Sequence, residues 1–87
     1  MKHATAASLD RIEELLASLR AVPGLKEKAR GVFYARSRAF LHFHEDPAGL
    51  FADFRLAAGD WQRLPVNTEP EIRLLLDAVI DLARASL

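Results

Sequence analysis

The sequence predicts an α+β domain of two layers: a helix, a four-stranded antiparallel meander and a second helix, with both helices on one sheet face. Two observations carry that prediction. Apolar residues recur at helical spacing from Leu9 to Leu19 and from Ile72 to Ala83. Between Val32 and Val66 the period changes to two, and proline, glycine and aspartate punctuate the run. At 87 residues there is room for one domain. Residues 8–87 are expected to form it, after a flexible tail of residues 1–7.

Ser8 is the expected cap of the first helix. Leu9, Ile12, Leu16 and Leu19 make its apolar stripe, widened by Leu15, and Pro23-Gly24 ends it. Residues 25–30 (Leu-Lys-Glu-Lys-Ala-Arg) read as a charged connection, loop or short turn. Four strands are then expected at residues 32–36, 39–45, 50–57 and 61–66. Ser37-Arg38 joins the first two, Asp46-Pro47-Ala48-Gly49 the next two, and Ala58-Gly59-Asp60 the last two. Pro65 places the fourth strand at an edge. Thr68-Glu69-Pro70-Glu71 is a capping box that opens the final helix. Its main face is Ile72, Leu75, Leu76, Val79, Leu82 and Ala83, broadened by Leu74, Ile80 and Leu87.

These loop lengths imply one set of registers. Tyr34 faces Leu41, Leu41 faces Phe54, Phe43 faces Ala52, and Phe54 faces Leu64. Val32, Tyr34, Leu41, Phe43, Ala52, Phe54, Leu56, Leu64 and Val66 then share the inner face. The outer face receives Phe33, Ala35, Phe40, His42, His44, Phe51, Asp53, Arg55, Ala57, Trp61 and Arg63. With both helices on one side, that outer face has no cover from this chain. Solvated sheet faces usually carry threonine, serine, lysine and glutamate. This one carries aromatics, histidines and arginines, which is the composition of a partner or ligand surface. Helices on opposite faces would instead bury those aromatics as core.

Phe33, Phe40, His42, His44, Phe51, Asp53, Arg55, Trp61 and Arg63 are therefore the candidate binding face. Its first expected use is self-association, as a homodimer, or capture of a protein or small-molecule ligand. The alternative is a divalent metal. His42 and His44 lie two apart on a strand and so share a face, and Asp53 sits opposite His42; two imidazoles and a carboxylate are a metal-ligand set. The competing reading is a cross-strand His–Asp hydrogen bond with no cofactor at all. His3 falls in the tail and takes no part. A third use is anion or single-stranded nucleic-acid binding. In the expected register Arg55 faces Arg63, and an anion would relieve that repulsion; Arg36 and Arg38 lie nearby. Arginines lying over aromatic rings would be the structural alternative.

Composition bounds these readings. Twelve basic and twelve acidic residues balance to a formal charge of +0, which argues against general nucleic-acid binding. No cysteine is present, so thiolate metal sites and cysteine nucleophiles are excluded. A Ser-His-Asp arrangement lacks its serine: Ser37 lies in a turn and Thr68 caps a helix. No apolar run approaches the roughly 18 residues of a membrane span, and the expected location is the cytoplasm.

Overall fold

The computed structural model describes residues 2–86. The two layers form as expected, around a larger sheet. In chain order the elements are β1 (Lys2–His3), α1 (Ala6–Asp10), α2 (Glu13–Arg20), β2 (Leu25–Ala29), β3 (Val32–Ala35), β4 (Arg38–Asp46), β5 (Gly49–Arg55), β6 (Trp61–Pro65) and α3 (Glu69–Ser86). All pairings are antiparallel, in the order β2-β3-β4-β5-β6, and β1 pairs with the second half of β4.

The helices form where the apolar stripes predict. Leu9, Ile12, Leu15, Leu16 and Leu19 are all buried, and they join Leu75 and Val79 of α3 in one cluster with the inner sheet face. Both helical layers thus cover the same side. The first helix starts earlier than expected: Thr5, not Ser8, is the cap, and its hydroxyl accepts from the Ser8 N–H at 3.2 Å. It also breaks at Arg11 and Ile12. The capping box of α3 forms reciprocally, with Glu71 N–H on Thr68 Oγ1 and Thr68 N–H on Glu71 Oε1. Leu87 lies outside the described residues.

Residues 25–29 are a strand rather than a connection. Leu25 and Glu27 turn inward beside α2, while Lys26 and Lys28 point out. Glu27 accepts from Arg20 at 2.6 Å and from the Gly31 N–H at 2.9 Å. An inward charge on an edge strand discourages pairing with another chain. That role explains why β2 lacks the apolar alternation by which strands are read.

The β4–β5 register is the expected one, with Leu41 opposite Phe54, His42 opposite Asp53, Phe43 opposite Ala52 and His44 opposite Phe51. The two flanking registers differ. The β3–β4 turn is Arg36-Ser37, with φ +53° and +67°, rather than Ser37-Arg38. Moving the turn by one residue shifts the pairing by two and by itself keeps the faces; β3 reverses because the register then changes by one between Phe33 and Tyr34. Phe33 points into the core with no exposed surface, Ala35 packs against the core, and Tyr34 points out. A bulge in β4 at Phe40 absorbs the extra residue and brings Phe40 into the core as well. Phe33, Ala35 and Phe40 are therefore core residues, not outer-face residues.

Between β5 and β6 the loop spans residues 56–60 and is closed by Leu56 N–H on Asp60 O at 2.7 Å. The register shifts by two, which keeps every side chain on its face but exchanges its partner. Arg55 now faces Trp61, and Asp53 faces Arg63. The expected Arg55–Arg63 pair does not form. Asn67 continues the sheet beyond Pro65: its side-chain oxygen accepts from Leu50 N–H and its amide donates to Leu50 O. Gly49, at φ +135°, leaves the space this amide occupies, since a Cβ there would lie 2.7 Å from Asn67 Oδ1.

Candidate metal centre on the outer sheet face

β4 projects His42 and His44 from the same side, as their spacing requires. The third histidine arrives from a segment the sequence leaves as a tail. Lys2 pairs with Glu45 and His3 with His44. Ala4 N–H donates to Phe43 O at 3.1 Å, and Thr5 N–H donates to Glu45 Oε1 at 2.6 Å. A residue opposite His44 in an antiparallel pair shares its face, so all three histidines of the chain converge. One ring nitrogen from each lies within 4.8 Å of the others.

The rings form a graded cluster. His44 Nε2 and His42 Nδ1 are 2.7 Å apart, so one donates to the other. His44 Nδ1 is buried and has no hydrogen-bond partner among the described residues. An unpartnered buried nitrogen costs about 1–3 kcal/mol. His3 is exposed and stacks beside His44, with ring centres 4.9 Å apart. Trp61 closes the other side, 5.1 Å from the His42 ring.

Asp53 plays a different part from the one its position suggests. It is 9% exposed, and Arg63 holds both of its oxygens, Nε on Oδ1 at 2.6 Å and Nη2 on Oδ2 at 2.8 Å. His44 Nε2 lies 3.6 Å from Oδ2. A two-pronged guanidinium fixes the carboxylate and takes one lone pair on each oxygen. His3, His42 and His44 thus form the close cluster, with Asp53 beside it as an anionic neighbour held by Arg63. Of the other expected face residues, Phe51, Arg55, Trp61 and Arg63 are on this side, and Arg55 stacks on Trp61 at 4.6 Å.

Burial is the main reason that His42 and His44 release their protons more readily than free imidazole. Positive charge on neighbouring histidines adds to this, and Asp53 opposes it. Hydrogen bonding from Arg63 holds the Asp53 carboxyl below its ordinary range. At neutral pH His42 and His44 therefore present neutral imidazoles, the form that ligates metal.

A pH dependence follows. Native His42 and His44 titrate below the ordinary 6.5, so the unfolded chain takes up protons first as pH falls. Their contribution is complete above about pH 6.5 and is lost as pH drops toward the depressed native values. Asp53 acts with the same sign at lower pH: its contribution holds above 3.8 and is lost as pH falls through its native value. Urea midpoints measured in chelator from pH 7.5 to 5 should fall. A His42→Gln/His44→Gln variant should show a smaller fall over the same range.

Among the described residues no helix is long and apolar enough to cross a membrane. Comparison of the chain with protein-family models, characterised proteins and solved structures finds no match. Fold and site together define an α+β domain with a three-histidine cluster on an uncovered sheet face.

Proposed function

We propose that this protein is a metal-binding module that holds one divalent transition ion through His3, His42 and His44. The observation that carries this reading is the convergence of every histidine in the chain on one point of the outer face. Ring nitrogens bound to one tetrahedral ion at about 2.0–2.1 Å lie roughly 3.4 Å apart. Nitrogens within 4.8 Å need only small side-chain movements to reach that spacing, and His3, on an exposed two-residue strand, can supply them. Three imidazoles suit zinc, copper, nickel or cobalt and leave a position open for water or a ligand.

Calorimetric titration of untagged, chelator-stripped protein with zinc tests the proposal. One ion should bind per chain and raise the melting temperature. At a free zinc concentration one hundred times Kd the gain is about 2.7 kcal/mol. A His42→Ala/His44→Ala variant should lose both effects. If zinc, copper, nickel and cobalt all fail to saturate the wild type or to shift its melting, the reading is wrong.

Self-association through the same face is the second reading. It is favoured by Trp61, a large apolar side chain left 42% exposed beside the histidines. The face is smaller than the sequence suggests, because Phe33 and Phe40 have withdrawn into the core. Light scattering across a dilution series, with and without zinc, separates this reading from a monomeric metal module. The absence of cysteine fits the reducing cytoplasm, where we place the protein.

A further inference from the structure

We propose that the end of the sheet beside the Arg36-Ser37 turn is a second site, for a phosphate monoester carrying a small apolar group. A pocket of about 200 Å³ opens there, at the other end of β4 from His44. Phe40, Leu56 and Leu82 supply its apolar lining, and Arg36, Arg38 and Arg55 its charge. Among the described residues none of these three arginines is ion-paired: the recorded pairs use Arg20, Arg30, His44 and Arg63. Three cations gathered without a carboxylate partner make a site for an anion.

Two further features support construction for that purpose. Arg55 is held in place, with Nε donating to Ala39 O at 3.0 Å, Nη1 to Gly59 O at 3.4 Å and its plane on Trp61. The turn that carries Arg36 is unfavourable for its sequence. Both Arg36 and Ser37 adopt positive φ, where Asn-Gly would be relaxed. Backbone strain kept at a two-residue turn is a common mark of a functional position.

The chemistry narrows the ligand. A phosphate monoester carries about −1.5 to −2 at neutral pH and offers several oxygens to guanidinium forks, a closer match to three arginines than one carboxylate. The volume is below the roughly 300–1,000 Å³ of pockets for drug-sized ligands, so the apolar part must be small. The bulge at Phe40 turns that ring inward and so creates the apolar wall.

Titration with phenyl phosphate tests the site, read by Trp61 fluorescence through its stacked Arg55 and independently by calorimetry. Saturable binding is expected, about tenfold or more tighter than inorganic phosphate. An Arg36→Gln/Arg38→Gln variant should bind at least about tenfold more weakly. An Arg11→Gln/Arg73→Gln variant, with the same net charge but changed on the helices, should match the wild type. The proposal is overturned if calorimetry shows no saturation, if inorganic phosphate binds as tightly, or if the helix variant loses as much affinity as the turn variant.

Discussion

Phe33→Ala should destabilise the protein by about 3–5 kcal/mol, the cost of removing a buried phenyl ring that its surroundings cannot refill. Phe33 has no exposed surface and sits between β2 and β4, opposite Glu27 and Leu41. Native domains are stable by about 5–15 kcal/mol, and small ones lie toward the lower end. The change therefore removes a large share of the total, and the variant should be partly unfolded at 37 °C. Tyr34→Ala is the matched control. Tyr34 points out, half-buried, with the Lys28 ammonium 5.7 Å from its ring centre. Its loss should cost about 1 kcal/mol, in the range of a partly solvated cation–π contact plus local packing. Urea unfolding of the two variants reads the orientation of β3 directly. If Tyr34→Ala costs more than Phe33→Ala, the strand has the opposite face inward.

That reversal shows where sequence reasoning reaches and where it stops. The central hairpin was legible, because Asp46-Pro47-Ala48-Gly49 announces its turn and two alternating runs of matching length flank it. The helices were legible through their stripes and the Thr68–Glu71 capping box. Parity on β6 survived a wrong loop length because a shift of two residues preserves faces. The β3–β4 hairpin lost that protection at its bulge, where the register changes by one. Arg36-Ser37 lacks the glycine or asparagine that marks a positive-φ pair, and no residue around Phe40 marks the bulge that reverses β3. β2 escaped because its inward position carries Glu27 for edge protection rather than an apolar residue. β1 escaped because two residues show no period. His42 and His44 were thus identified from spacing alone, whereas the place of His3 depends on the β1–β4 pairing, which two residues do not announce.

Whether His3 or Asp53 completes the proposed metal site is decided by setting His3→Ala against Asp53→Asn. Removing His3 should weaken zinc binding at least tenfold, or about 1.4 kcal/mol. His3 is exposed and contributes little to the core, so the melting temperature of the metal-free protein should barely move. Asp53→Asn should do the reverse. Its oxygens serve Arg63, so zinc affinity should stay within a few-fold of wild type. The metal-free protein should lose about 1 kcal/mol, a modest sum because the Arg63 side chain is 47% exposed and its pairing is screened by water. The acid-sensitive part of the stability curve below pH 4 should shrink but not vanish, since Asp53 shares it with Glu13, Glu27 and Glu45, whose carboxyls are also held below their ordinary range. The two variants separate ligation from support because each moves the quantity the other leaves alone. Should Asp53→Asn abolish zinc binding while His3→Ala leaves it intact, the ion is held by His42, His44 and a carboxylate. Arg63 would then have to release Asp53 before metal could bind, and Arg63→Ala would tighten zinc binding rather than leave it unchanged.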